Sequence, residues 1–208
     1  MKGADLERSA AHYRELAPHY DHSTRRINRV RIRAIDALKL KQGERVLDAG
    51  CGTGWCIPHL AERVGAQGGV FAFDPSPDML AVARMRARQV QAPVEIIRAS
   101  AEEVELPRPV DAILFSYTHD LIRSRPALDN LFRHARPGAR VAATSTKLFA
   151  PWLFPANWYL KYSHREYITN FDGFKAPWSL LATCLDDFRV ETNGMTQHYV
   201  ATGLVRPR

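Results

Sequence analysis

The sequence predicts an α/β fold: a mostly parallel seven-stranded sheet with helices on both faces and an antiparallel C-terminal strand. Three observations carry this prediction. Short apolar runs alternate with helical patterns from Glu44 to Thr144, and that alternation builds a parallel sheet covered on both sides. A glycine-rich turn, Gly50-Cys51-Gly52-Thr53-Gly54, stands between the first apolar run and the helix after it. Two further strand-like runs close the chain around Asn193-Gly194, as an antiparallel hairpin would, although the gap is longer than a tight turn.

In chain order, a helix over 6–20 carries Tyr13 and Tyr20. A second helix over 23–40 puts Ile27, Val30, Ala34 and Leu38 on one face, with Ser23 as its N-cap and Gly43 past its end. Strands are expected at 45–49, 69–73, 94–98, 110–116 and 140–144, and helices at 55–64, 77–90 and 127–134. Pro137-Gly138 reads as a turn before the fifth strand. The pattern breaks after Lys147, where Trp152, Phe154, Trp158, Tyr159, Phe174 and Trp178 crowd a stretch interrupted by Pro151, Pro155 and Pro177. That stretch reads as an irregular insertion. A short helix over 178–185 and two edge strands near 189–191 and 199–204 follow. The organisation expected is a single domain over 1–208, with an N-terminal helical cap at 1–42 and an aromatic insertion at 148–178.

A chain of 208 residues is long enough to bury one real core. No stretch approaches the roughly 20 unbroken apolar residues of a membrane span, and the first residues lack the apolar segment of a secretory leader. Cys51, Cys56 and Cys184 fit neither a paired framework nor zinc spacing, so reduced thiols, no metal and a cytoplasmic setting are expected. The net charge is +7, and part of it is local: Arg25, Arg26, Arg29, Arg31, Arg33, Lys39 and Lys41 face only Asp36. The run reads as a solvated helix face. Its functional reading is transient contact with a membrane surface. No face interleaving aromatic and basic residues can be read, so no nucleic-acid partner is expected; a nucleic-acid-binding module ranks last, and the expected state is a monomer or homodimer acting on a small molecule.

The turn at 50–54 needs glycine because the chain reverses sharply and its backbone must approach a ligand with no Cβ in the way. The helix beyond offers free N–H groups. Asp74 ends the second strand, at the distance where a carboxylate can accept from ribose hydroxyls. The competing role for Asp74, capping the next helix, can be filled by Ser76 or Asp78. Ser100-Ala101-Glu102 and Ser116-Tyr117 follow the third and fourth strands. All these groups lie at carboxyl ends of parallel strands, where open α/β sheets bind ligands.

Asp48-Ala49-Gly50-Cys51-Gly52-Thr53-Gly54 and Phe73-Asp74-Pro75-Ser76-Pro77-Asp78-Met79-Leu80 resemble the first two motifs of the class I S-adenosylmethionine (SAM) dependent methyltransferases. The GxGxG spacing after an acid fits that family better than the GxGxxG of nicotinamide enzymes. The resemblance covers roughly residues 40–145 and implies a Rossmann-like fold with SAM as cofactor. It implies that Gly50, Gly52 and Gly54 wrap the methionine part, with Asp48 orienting the loop. It further implies that Asp74 holds the ribose hydroxyls, Met79 packs near the adenine, Ser100 and Ala101 meet the adenine edge, and the Ser116 backbone receives the ammonium group. Ser100 departs from the pattern, since many members carry an acid there; Glu102 is the substitute within reach. Tyr13 and Tyr20-Asp21 are similar to the tyrosine-bearing helix of the ubiquinone/menaquinone C-methyltransferases and the bacterial phosphatidylethanolamine N-methyltransferases, where a tyrosine hydroxyl reaches the cofactor. The alternative is that both tyrosines pack that helix on the sheet.

Methyl transfer from a sulfonium is an in-line displacement, so the protein mainly aligns the reactants and excludes water. A base is needed only when the nucleophile must lose a proton. Tyr117, Thr118, His119 and Asp120 follow the fourth strand. His119 is the general-base candidate because histidine titrates near neutral pH, with Tyr117 beside it and Asp120 to orient it; the alternative is that His119 and Asp120 cap the next helix. The aromatic insertion is expected to be a substrate lid, with His164 and Tyr167 as contacts. The function expected is methyl transfer to a small-molecule or lipid-like acceptor. The alternative is a SAM-consuming enzyme of the same fold that reacts at the aminocarboxypropyl arm, by transfer of that arm or by cyclisation releasing methylthioadenosine.

Overall fold

A computed structural model describes residues 27–163, 173–192 and 195–207. Its helices are α1 (Asn28–Ala37), α2 (Ile57–Val64), α3 (Pro77–Ala87), α4 (Arg125–Arg133), α5 (Phe154–Ser163) and α6 (Ser179–Cys184). Its strands are β1 (Arg45–Ala49), β2 (Gly69–Asp74), β3 (Val94–Arg98), β4 (Val110–Ser116), β5 (Ala135–Thr146), β6 (Leu185–Glu191) and β7 (His198–Val205). They form one seven-stranded sheet in the order β3-β2-β1-β4-β5-β7-β6. Strands β1 to β5 pair in parallel, and β7 runs antiparallel to both β5 and β6. The fold class is therefore as the sequence predicts.

Alternation along the central strands divides the core. Leu47, Ile113 and Phe115 pack with Leu128 and Leu131 of α4 and Leu181 of α6. Val46, Ala112 and Leu114 face the other way, onto Ala34 and Ile35 of α1, Leu38 just past its end, and Leu60 of α2. Burial on both faces is what makes β1 and β4 near-continuous apolar runs. Ser76 caps α3, its hydroxyl accepting from the Met79 N–H at 3.4 Å, and Ser124 caps α4 by accepting from the Ala127 N–H at 3.3 Å. Each cap is followed by a proline in the first helical turn, where no N–H is missed.

Several expectations are corrected. α1 stops at Ala37, not near residue 40, because Lys39 takes the left-handed conformation (φ 47°) that ends the helix well before Gly43. Pro137-Gly138 is not a turn ahead of β5 but a bulge inside it: Val110 pairs with Ala135 and Ala112 with Arg140, the extra residues looping out through Gly138 (φ 74°). β7 is not an edge strand; it inserts between β5 and β6, which leaves β6 outermost. The aromatic stretch after β5 is not wholly irregular. A 3₁₀ turn (Pro151–Leu153) leads into α5, and Asn157 fastens the two by accepting from the Phe149 N–H at 2.8 Å and donating to the Phe149 carbonyl at 3.2 Å.

Candidate active site

The glycine turn leaves β1 and enters α2 across the carboxyl edge of the sheet. Gly50, Gly52 and Gly54 all hold positive φ (69°, 54° and 72°), which side chains resist. Space separates their roles. A Cβ on Gly54 would lie 2.8 Å from Ile57 Cδ1 and 3.0 Å from Ala83 Cα, so Gly54 lets α3 approach the loop. A Cβ on Gly50 would meet Thr118 Cγ2 at 2.6 Å. A Cβ on Gly52 would meet no atom of the described residues within 4 Å, so among them the tip of the loop opens on free space.

Asp74 steadies that tip. Its Oδ2 accepts from the Gly52 N–H at 3.0 Å and its Oδ1 from the Ser76 N–H at 2.9 Å. Each oxygen keeps a second lone pair for a ligand. Burial raises the Asp74 pKa, and the two N–H bonds oppose the shift. Ser76, not Asp74, caps α3, so the competing role for Asp74 falls away.

Asp48 is 1% exposed on β1, and its Oδ2 has no hydrogen-bond partner among the described residues. Burial pushes its pKa up to about 7; the Arg31 guanidinium pulls the other way, and the Asp74 charge adds to the rise. The register Ala49↔Phe115 sets Gly50 beside Ser116 at the end of β4. Ser116 Oγ and Thr118 Oγ1 are also buried without an oxygen or nitrogen partner. Buried polar atoms are nearly always satisfied, so three orphans around one glycine loop fit a polar ligand. With the opening at Gly52 and the Asp74 carboxylate beside it, this set fits the methionine and ribose parts of SAM.

Beyond Ser116 the chain turns sharply at Tyr117, whose φ of 61° is rare for a bulky side chain. The Tyr117 hydroxyl lies 3.0 Å from His198 Nδ1, on the first residue of β7. The guanidinium of Arg31, a buried residue of α1, sits 5.6 Å from the Tyr117 ring and 5.2 Å from the Trp55 ring. The sequence points to neither Trp55 nor His198 as a site residue, and to Arg31 only as one charge of the basic run. His119 goes elsewhere: its ring meets Phe174 edge-on at 5.6 Å, and its Nε2 lies 3.4 Å from Asp120 Oδ1. Burial lowers the His119 pKa, Asp120 opposes this, and Arg123 adds to it. Asp120 makes no side-chain cap to the 3₁₀ turn Leu121–Arg123, and Ser124 caps α4, so the capping alternative fails.

On the adenine side, Met79 is buried in the first turn of α3, and Ala101 is buried with its carbonyl accepting from Asn130 Nδ2 at 3.0 Å. Ser100 Oγ donates to Glu103 Oε2 at 3.1 Å. Glu102, the expected substitute, is held by the Ser124 hydroxyl at 3.0 Å. The basic run is partly absorbed by the fold: Arg31 points inward, and Arg33 pairs with Glu191 at 2.8 Å. The three cysteines are unpaired thiols. Tyr13, Tyr20, Asp21, Ser23, His164 and Tyr167 lie outside the described residues. No helix among the described residues is long and apolar enough to cross a membrane.

Fold and loop together define an α/β nucleoside-cofactor domain. Comparison with known proteins narrows the class. Residues 46–138 match a family described as a methyltransferase domain. The 2-phytyl-1,4-naphtoquinone methyltransferase of Synechococcus elongatus is 39% identical over 49% of this chain and 46% of its own length. The ubiquinone/menaquinone biosynthesis C-methyltransferase UbiE of Photorhabdus laumondii is 34% identical over 57% of this chain and 49% of its own length. The chain thus spans about half the length of these curated relatives. The fold is shared with the N-methyltransferase NodS of Bradyrhizobium japonicum in complex with S-adenosyl-L-homocysteine (TM-score 0.61, 14% identity, 88% of this chain and 87% of that one). Residues 46–138 are thus similar to a methyltransferase domain, and the glycine loop, Asp74 and the buried polar atoms around them fit SAM as the cofactor.

Proposed function

We propose that the chain transfers the methyl group of SAM to a ring-hydroxylated, quinone-type small molecule. The observation that carries this reading is the Tyr117–His198 contact at the carboxyl end of β4, directly after Ser116. Two relatives named for quinone methylation suggest the acceptor class.

In this reading Gly50, Gly52 and Gly54 cradle the methionine part, and Asp48 shapes the loop from below. Asp74 accepts from the ribose hydroxyls; Met79, Ser100 and Ala101 meet the adenine; the Ser116 backbone meets the ammonium group. Tyr13 and Tyr20, in the helical cap at 1–42, close over the cofactor, and the 148–178 insertion covers the acceptor side. SAM, when bound, supplies a methyl group already activated by the sulfonium. What remains for the protein is alignment, exclusion of water and removal of one acceptor proton. His198 is placed to take that proton, directly or through the Tyr117 hydroxyl, while the Arg31 guanidinium beside the Tyr117 ring favours negative charge there. Loss of a ring hydroxyl proton makes the adjacent carbon nucleophilic, so one base serves transfer to carbon or to oxygen. His119 is the competing base.

The test is a single assay with SAM and a demethylated naphthoquinol, separating the sulfur products by mass spectrometry. S-adenosylhomocysteine is the expected product, and methylthioadenosine would instead establish reaction at the carboxypropyl arm. His198→Gln is expected to lower kcat about 100-fold, the usual scale of a lost general base, with SAM affinity unchanged. If His119→Gln produces that loss and His198→Gln does not, the proton goes to His119 and the dyad is only structural.

A further inference from the structure

Helix α5 is built inside out. Its inward positions carry Asn157, hydrogen-bonded to the Phe149 backbone. Its outward positions, with the 3₁₀ turn before it, carry Trp152, Phe154, Trp158 and Tyr159, which are 67, 73, 70 and 66% exposed. The other aromatics of the insertion behave differently. Phe174 is fully buried against His119, and Trp178 packs on Tyr199 with ring centroids 4.6 Å apart. A cluster of large exposed apolar side chains on a single helix marks an interaction surface.

We propose that this surface docks on an anionic lipid bilayer. Charge selects that occupant. From Asn130 to Arg165 the sequence holds no Asp or Glu, while Lys161 and Arg165 follow directly on the exposed aromatics in the sequence. Lys175 is exposed beside Phe174, whose carbonyl accepts from the Leu148 N–H at the root of the insertion. The chain as a whole carries +7. Trp and Tyr settle at the headgroup level, and basic residues near them add attraction to anionic lipid. A second copy of the chain would bring together two molecules that each carry +7. At ten residues α5 is about 15 Å long, half a hydrocarbon core. It therefore lies in the interface and does not cross it.

The placement gives the surface a use. The insertion leaves the carboxyl end of β5, and Lys147 N donates to the Gln197 carbonyl, next to His198. Docking through α5 thus brings the Tyr117–His198 edge of the sheet to the bilayer, where an acceptor with an apolar tail would partition. The surface itself stands apart from the acceptor reading, because it is tested without any substrate.

The experiment is flotation with vesicles of phosphatidylcholine, with and without phosphatidylglycerol, at low and high salt. The parent protein is expected to float with the anionic vesicles, less so in high salt. A combined Trp152→Ser, Phe154→Ser and Tyr159→Ser variant is expected to lose at least about tenfold in partitioning, with its circular dichroism and thermal midpoint unchanged, since these side chains are 67, 73 and 66% exposed. The proposal is overturned if the parent ignores anionic vesicles, if it floats equally with neutral ones, or if the variant floats like the parent. A concentration-dependent dimer dissolved by the same substitutions would assign the surface to a second copy instead.

Discussion

Gly52→Asn is expected to remove SAM binding while leaving the fold standing. The N–H of residue 52 still reaches Asp74, and asparagine tolerates the left-handed conformation better than most side chains. The added side chain meets no atom of the described residues near its Cβ and projects into the space beside the loop. A loss of at least about 100-fold in affinity, roughly 2.7 kcal/mol, is expected in calorimetry. The thermal midpoint should move by no more than about 3 °C, the scale of 1 kcal/mol in a chain of this size. Gly54→Ala should do the reverse. Its Cβ would strike Ile57 and the Ala83 backbone, overpacking the α2–α3 contact at a cost of about 1–3 kcal/mol. That variant should unfold several degrees earlier. Normal SAM binding by Gly52→Asn would show that the loop encloses no ligand, and the cofactor site would have to be sought elsewhere.

The contrast between these glycines also shows what the sequence could and could not disclose. The strands β1 and β4 are legible to the residue, because burial on both faces writes itself into short, near-continuous apolar runs; β3, at the sheet edge with no buried residue, is legible from its short β-branched run alone. The loop is legible because its requirement is local: a strand, three glycines and a helix in one stretch. The separate roles of Gly52 and Gly54 are not, since they depend on Ala83, which arrives from α3. His198 is hidden for the same reason. Nothing around Gln197-His198-Tyr199 marks a site; the register of β7 on β5, with His198 opposite Thr146, brings it to Tyr117 across 81 residues of sequence. Arg31 looks like one more charge in a basic run, and only the packing of α1 against β4, β5 and β7 turns it inward. The bulge at Gly138 imitates a turn because both need the same residue in the same conformation.

Asp48 is expected to make SAM binding a proton-linked event with a large signature. Its pKa near 7 in the folded chain stands above the ordinary 3.8, chiefly because burial disfavours the charge. The sign follows. A carboxyl that binds its proton more tightly when folded favours the folded state at low pH, and that advantage is lost as pH rises through about 7. A shift of this size corresponds to roughly 4 kcal/mol between acid and neutral pH, with other titrating groups superposed. A cationic ligand reverses the preference, because the sulfonium and ammonium charges of SAM favour the ionised carboxylate. Affinity for SAM should therefore rise by up to about tenfold per pH unit below pH 7 and level off above it, with about one proton released on binding at pH 6. Calorimetry in two buffers of different ionisation enthalpy measures that proton directly. Asp48→Asn cannot titrate. It should bind SAM with little pH dependence over this range, and it should be more stable than the parent at pH 8, where the parent carries an orphaned buried charge. If the pH slope survives in Asp48→Asn, the linked proton belongs to another group, and the neighbouring buried carboxyl of Asp74 is the next to examine.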